Sequence, residues 1–279
     1  MEVDASASRV NWWSSDKCLA YYNVAVSGVP ATLNSQGCRI RLAKEFPGRI
    51  FDRAVSIGCA TGSKEMALIT DGLVKHFDLW EINQASIDKG EQCAAELGLA
   101  DQVTFRKGDV FADRSPRYDL VYWDHSLHHM SDVDDALAWS VSVLRPGGVI
   151  LMNDYVGPNR LQWRKDEVRR ANSFIRRAMH DRGIASREVP YSTLFSKLRQ
   201  RYRDPSEAPQ SENILQACAK NLPSVSVEPL GGTFINILGP IVIPAVADDS
   251  PVIDELLSED AALRDEGSSH FVFALWSRP

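Results

Sequence analysis

The sequence predicts an α/β protein built on a doubly wound sheet. Three observations predict it. Between residues 53 and 152, short apolar runs alternate with helically periodic segments. No internal repeat or low-complexity tract interrupts them. Of the 279 residues, 44% are hydrophobic and 24% charged, enough apolar material to cover both faces of a sheet. Strands alternating with helices imply parallel pairing. Right-handed crossovers then put helices on both faces.

The elements follow in order. Residues 1–46 read as helical and aromatic, with Trp12, Trp13, Tyr21 and Tyr22, and Pro47-Gly48 breaks the chain. Ala54–Ile57 is a buried strand, Ser63–Thr70 a helix and Phe77–Trp80 a second strand. Ala85–Leu97 is a helix, with Ile87, Ala94 and Leu97 near one face. Val103–Arg106 and Tyr118–Trp123 are the third and fourth strands. A helix with Val133, Leu137, Val141 and Leu144 on one face leads to the turn Arg145-Pro146-Gly147-Gly148 and a fifth strand, Val149–Met152. After Tyr155 the alternation stops, and residues 160–222 read as basic helices and loops. Val225–Glu228 and Phe271–Trp276 supply a sixth and a seventh strand, with a solvated helix in the acidic stretch between them. The expected organisation is an N-terminal helical lid (1–46), an α/β core (47–156), a helical substrate-side insertion before strand six (157–222), and a last segment completing the core (223–279).

Several function classes are excluded. No apolar run approaches the ~20 residues that cross a bilayer; Ile235–Val246 is short and broken by Gly239, Pro240 and Pro244. The stretch Met1–Val10 is polar and acidic, unlike a signal peptide. Five scattered cysteines, with no C-x-x-C pair, argue against a disulfide framework or zinc site and fit a reducing cytoplasm. The net charge of −6 disfavours nucleic acid as partner. The charge is uneven: residues 164–204 hold twelve Lys/Arg against five Asp/Glu, and residues 248–266 eight Asp/Glu against one Arg. The basic segment reads as a solvated helix face, or as a receiver for an anionic acceptor.

In doubly wound sheets ligands bind beyond the carboxyl ends of the strands. After strand one, Gly58 and Gly62 flank a tight turn into a helix whose free N–H groups suit a carboxylate. The pattern is not G-x-G-x-x-G, so a nicotinamide dehydrogenase is the weakest reading. Glu81 ends strand two, 19 residues past Gly62, where an acid can accept both hydroxyls of a ribose. Asp109, in Gly108-Asp109-Val110, can accept from an adenine amine. Strand four ends in Asp124-His125-Ser126-Leu127-His128-His129, and strand five in Asn153-Asp154-Tyr155.

Taken together, these elements resemble the class I S-adenosylmethionine-dependent methyltransferases. The resemblance rests on Val55-Ser56-Ile57-Gly58-Cys59-Ala60-Thr61-Gly62, Glu81, Gly-Asp-Val at 108–110, Tyr118-Asp119-Leu120-Val121, Ser126-Leu127-His128-His129 and Leu144-Arg145-Pro146-Gly147-Gly148. It covers residues 50–155. It implies a Rossmann-like sheet of seven strands with the last antiparallel, S-adenosylmethionine as cofactor and S-adenosylhomocysteine as product. Gly58, Cys59, Ala60, Gly62 and Glu81 would hold the cofactor with Ile82, Asp109, Val110, Asp124 and His125. Asn153–Trp163 and Asp204–Ala208 look like a bacterial small-molecule subgroup with a long segment between strands five and six. Two positions depart from the family: Ala60 stands where glycine is usual, and Ser56 where an acid is frequent.

Methyl transfer from a sulfonium is an in-line displacement, so alignment and water exclusion carry much of the catalysis. A base is needed only if the acceptor must lose a proton, and histidine suits that role. His129 and His128, with Tyr155, are the catalytic candidates. Trp12, Trp13 and Tyr21, with Arg160, Gln162 and Trp163 after strand five, are the candidates for contact with a small-molecule or carrier-bound acceptor. No metal is expected: Asp124 and Asp154 with His125 sketch a chelate of oxygen ligands, but Tyr155 stands where an amide ligand would be wanted. Two other readings remain: different chemistry on the same fold, or non-catalytic binding of the cofactor or its product.

Overall fold

The computed structural model describes residues 11–108, 110–115, 117–191 and 207–279. Seven strands form one sheet: β1 (Ala54–Ile57), β2 (Phe77–Trp80), β3 (Val103–Arg106), β4 (Tyr118–Asp124), β5 (Leu144–Tyr155), β6 (Ser226–Gly231) and β7 (Phe271–Ser277). Their order is β3-β2-β1-β4-β5-β7-β6. The first five are parallel, and β7 runs antiparallel to both β5 and β6. The order reverses between β1 and β4, and that reversal opens a crevice at their carboxyl ends.

The central strands are apolar at nearly every position because both faces are covered. On β4, Leu120 and Tyr122 join one core and Val121 and Trp123 the other. On β5, Val149 and Leu151 oppose Ile150 and Met152 in the same way. One layer takes α1 (Asp16–Ser27), α2 (Gln36–Glu45), α3 (Ser63–Thr70), α6 (Lys165–Phe174), α8 (Thr233–Val242) and α9 (Pro251–Asp265). The other takes α5 (Val133–Val143) and α7 (Ile214–Asn221). The remaining helix, α4 (Gln84–Glu96), connects β2 to β3. Among the described residues no helix is long and apolar enough to cross a membrane.

Four sequence expectations change. The fifth strand begins at Leu144, which leaves the preceding helix to pair with Tyr118; Arg145–Gly148 form a bulge before pairing resumes at Leu120–Val149. The turn chemistry was real, but Arg278 donates to the Gly148 carbonyl and Gly147 to the Arg278 carbonyl, which keeps the bulge in the sheet. The sixth strand lies later than expected, at Ser226–Gly231. The apolar run after it is a buried helix, α8, with Pro240 inside it. The acidic helix α9 is not wholly solvated: Val252, Ile253, Leu256 and Leu263 are buried.

The two lopsided charge segments meet. Arg170 pairs with Glu266 at 2.7 Å, Arg177 with Glu259 at 2.6 Å and Arg182 with Glu255 at 2.5 Å. These pairs lash α6 and the turns after it to α9. Arg170, Arg177 and Arg182 thus have acidic partners on or just after α9, while their side chains stay about half exposed, as a solvated helix face would have them.

A second tie crosses the same layer. Asp260 of α9 is fully buried and accepts from the backbone N–H of Gly232, Phe234 and Ile235, capping α8 from another helix. The Tyr21 hydroxyl donates to the same carboxylate at 2.9 Å, fastening α1 to this cap.

Candidate functional site

The turn after β1 lines the crevice. Gly58 and Gly62 both have φ of +68°, the left-handed region that glycine enters freely. A Cβ on Gly58 would lie 3.3 Å from Ser126 Cβ, so the loops after β1 and β4 nearly touch. A Cβ on Gly62 would meet Leu79 at 2.8 Å. Ala60 also has positive φ, +51°, at a cost of roughly 1 kcal/mol or more. Cys59 is buried, and burial pushes its thiol well up, so it stays neutral.

Glu81, at the end of β2, joins that turn to its own strand. Its Oε2 accepts from Ala60 N–H at 2.9 Å, and Oε1 from the N–H groups of Ile82 and Asn83, both at 2.8 Å. A carboxylate has about four acceptor positions, so these three bonds leave capacity on Oε2 for a hydroxyl. Ile82 beside it is 78% exposed, an apolar side chain lying open. Val110 is buried. Asp109 lies outside the described residues.

Ser56, at the family's acidic position, donates to Glu65 Oε1 at 2.7 Å. Glu65 enters from the first turn of α3 and is fully buried; burial raises its pKa, with Lys64 and Ser56 opposing. Among the buried polar atoms with no hydrogen-bond partner are Glu65 Oε2, Ser126 Oγ and Trp80 Nε1, on the elements around the crevice. Buried polar groups are rarely left so.

At the exit of β4, Asp124 is a buried hub. It accepts from Tyr122 Oη at 2.7 Å and Asn153 Nδ2 at 2.8 Å, and Lys64 Nζ lies 3.5 Å away. Burial works against its charge, but Lys64, His125 and these hydrogen bonds prevail and lower its pKa. His125 follows in the left-handed region, φ +56°, which histidine enters more readily than most residues. Its ring packs against Trp12, Tyr22 and Phe271. Burial pushes its pKa down to about 4, so at neutral pH the imidazole is uncharged.

Asp154, from β5, organises the next turn. It accepts from the backbone N–H of Ser126, Leu127 and Tyr155 and from His128 Nδ1 at 2.5 Å. Burial would raise its pKa, yet His128 and these donors hold it at about 2. Burial in turn lowers His128, but Asp154 outweighs it and the net shift is upward. The His129 ring packs against His128 at a tilt of 42°, with ring centroids 4.1 Å apart, and is partly exposed. The Tyr155 hydroxyl donates to the Pro158 carbonyl at 2.9 Å, and burial raises its pKa far above neutrality. That phenol is a poor proton acceptor. Among the described residues, Asp124, Asp154 and His125 do not bring their ligand atoms together as the sketched chelate would require, and both carboxylates accept from protein donors.

The acceptor candidates separate. Trp12 is buried against Tyr22, His125 and Phe271, beside the β4 exit, and Trp13 meets it edge-on while half exposed. Tyr21 spends its hydroxyl on Asp260, in the α8 cap. Trp163 stacks on His270 at 5.4 Å. Arg160 and Gln162 lie in the turn after β5, where Arg160 N–H donates to the Ala208 carbonyl at 2.7 Å. The preceding residue, Glu207, comes within 3.9 Å of His128 Nε2.

Reading the sequence missed Lys64, Glu65 and Glu207. For the first two a signal existed: charged residues in the first turn of a helix that opens on a glycine loop. For Glu207 the motif Asp204–Ala208 was singled out, but nothing local brings it to histidines nearly 80 positions earlier.

Comparison with known proteins agrees with this geometry. Residues 52–203, more than half the chain, match a family model described as a methyltransferase domain. The chain is 31% identical over 132 residues to the 27-O-demethylrifamycin SV methyltransferase of Amycolatopsis mediterranei, covering 45% of this chain and 47% of that one. It spans about half the length of that relative. Among solved structures, the phosphoethanolamine N-methyltransferase 2 of Haemonchus contortus, in complex with S-adenosyl-L-methionine, superposes with a TM-score of 0.54 at 15% identity. That superposition covers 95% of this chain and 57% of the other. The [4+2]-cyclase SpnF gives 0.51 at 15% identity, over 87% and 80% of the two chains. At such identities the superpositions carry the fold alone.

Proposed function

The chain belongs to the methyltransferase-domain family, and from that premise we propose that it moves a methyl group from S-adenosylmethionine to an oxygen or nitrogen of a small-molecule acceptor, free or carrier-bound. The observation that carries the reading is the set of orphaned buried atoms, Glu65 Oε2, Ser126 Oγ and Trp80 Nε1, around a glycine-lined crevice at the switch point. A polar ligand seated there would satisfy them. Bound S-adenosylmethionine supplies an electrophilic methyl on a sulfonium sulfur.

This chain's residues do the rest. The backbone from Gly58 to Gly62 admits the ligand closely, and Glu81, braced by three N–H groups, meets a ribose hydroxyl through Oε2. Ile82 and Val110 offer apolar contact to the base, with Asp109 beside them in sequence. His125, neutral and apolar-packed, and the Asp124 hub close the far wall. His128 and His129 face the acceptor and handle its proton. Tyr155 holds the chain after β5 in place. Trp12 and Trp13, with the segment from Arg160 to Trp163, cover the acceptor and exclude water. A small acceptor fits better than a nucleic acid, given the net charge of −6 and the internal pairing of Arg170, Arg177 and Arg182. A cytoplasmic location fits the free cysteines.

The test is transfer of labelled methyl from S-adenosylmethionine to a panel of hydroxyl, amine and phenol acceptors. Label in at least one acceptor, with equimolar S-adenosylhomocysteine, is the expected result. Tight binding of S-adenosylhomocysteine with no transfer across the panel would move the reading to a non-catalytic binder or to other chemistry on this fold.

A further inference from the structure

The Ser-Leu-His-His motif after β4 and the Asp-Pro-Ser-Glu-Ala motif at 204–208 were noted separately in the sequence; residues 204–206 lie outside the described residues, and the fold brings Glu207 to His128 and His129. The ligand-capable atoms of His128, His129 and Glu207 all lie within 4.8 Å of one another. We propose that these three side chains form a binding site for one borderline divalent cation, of the zinc, cobalt or iron(II) type.

The donor set argues for this class. Two imidazoles and one carboxylate suit borderline cations, whereas magnesium and calcium prefer all-oxygen shells. The surroundings fit a ligand set as well. Asp154 engages His128 Nδ1, which fixes the ring and turns Nε2 towards Glu207. A carboxylate on the far nitrogen is the usual partner of a metal-binding histidine. Glu207 is held from behind. Its neighbour Ala208 accepts from Arg160 N–H, and Ser211 Oγ donates to the Gly157 carbonyl at 2.8 Å, which pins this strand of chain to the turn after β5. Ala208, Arg160 and Leu161 all sit at positive φ, a concentration of costly backbone at one spot. Ligand atoms around such a cation stand about 3–3.5 Å apart at metal–ligand distances near 2.1 Å. Closure therefore needs shifts of about 1 Å, within reach of side-chain rotation at the partly exposed His129 and Glu207.

Three protein ligands leave coordination positions open, the arrangement of a site that takes a substrate oxygen. On the methyl-transfer reading, from which this role follows, the cation would polarise the acceptor's oxygen and so ease loss of its proton, replacing the direct proton transfer by His128 and His129, whose ring nitrogens it occupies. The binding site itself does not depend on that reading.

The test uses the full chain, stripped with chelator and titrated with Co²⁺ and with Zn²⁺, without cofactor or acceptor. Visible d–d absorption and calorimetry report occupancy. One equivalent is expected to bind, with affinity falling at least tenfold in both Glu207→Gln and His129→Gln, while circular dichroism and melting temperature stay near wild type. Failure to bind a cation at 100 µM, or full affinity retained by either variant, overturns the site. Because the readout needs neither methyl donor nor acceptor, its failure is separate from failure of the methyl-transfer reading.

Discussion

Gly90 lies in the middle of α4, where ordinary helix energetics would favour replacing it. Alanine in a helix interior is better than glycine by about 1 kcal/mol. The structure predicts the opposite outcome. A Cβ on Gly90 would fall 2.4 Å from Phe105 Cζ and 2.8 Å from the Thr61 carbonyl oxygen. The Phe105 ring is only half-buried and can swing aside. The Thr61 carbonyl is backbone, within the turn that Gly58 and Gly62 define, and it moves only if that turn moves. Overpacking of this kind costs about 1–3 kcal/mol, enough to outweigh the propensity gain. Gly90→Ala should therefore lose about 1 kcal/mol of stability in urea titrations. It should also bind S-adenosylhomocysteine about fivefold or more weakly by calorimetry, as the displaced turn no longer meets the ligand. A variant more stable than wild type, with unchanged affinity, would refute the claim that α4 closes directly on the binding turn.

Two further predictions rest on the buried polar network. His125 has a pKa depressed from 6.5 to about 4, so the unfolded chain takes up the proton first. Its contribution to stability is complete above pH 6.5 and declines as pH falls towards 4, by about 2 kcal/mol between pH 7 and pH 5. His125→Asn, which tolerates the left-handed backbone, should flatten that part of the profile, and urea midpoints at the two pH values check it. Asp260→Leu strands three N–H groups and the Tyr21 hydroxyl, an expected loss of about 3–6 kcal/mol, against about 1 kcal/mol for Tyr21→Phe. Equal losses in chemical denaturation would show that the capping of α8 carries little.

What could be read in advance, and what could not, follows from the range of the interactions. β1 and β2 were legible because strands buried on both faces are short runs of mostly apolar residues bounded by turn residues, a purely local pattern. Gly58, Gly62 and Glu81 were legible as a set because their spacing follows from one strand–helix–strand unit. Leu144 was misassigned because its helical spacing from Val141 is genuine. Only the pairing with Tyr118 across the sheet draws it into β5. The acidic helix misled for a related reason: Asp260 looks like one more solvated carboxylate until its partners on α8 arrive from 25–28 residues away. Tyr21 was read as an acceptor contact on its residue type, and its partner Asp260 stands 239 positions off. The charge asymmetry was visible as composition, while its use became clear only when Arg170, Arg177 and Arg182 met α9. Ser56 looked like a lost acid, and the structure puts the Glu65 carboxyl against it from the following helix.

The central claim is that the crevice between β1, β2 and β4 binds S-adenosylmethionine through Glu81 and the glycine turn. Calorimetric titration of S-adenosylhomocysteine into wild type and Glu81→Ala tests it most directly. The account predicts one site per chain and at least a tenfold weakening in the variant, about 1.4 kcal/mol, with the fold intact. No binding to folded, ligand-free wild type, or equal affinity in Glu81→Ala, would contradict it.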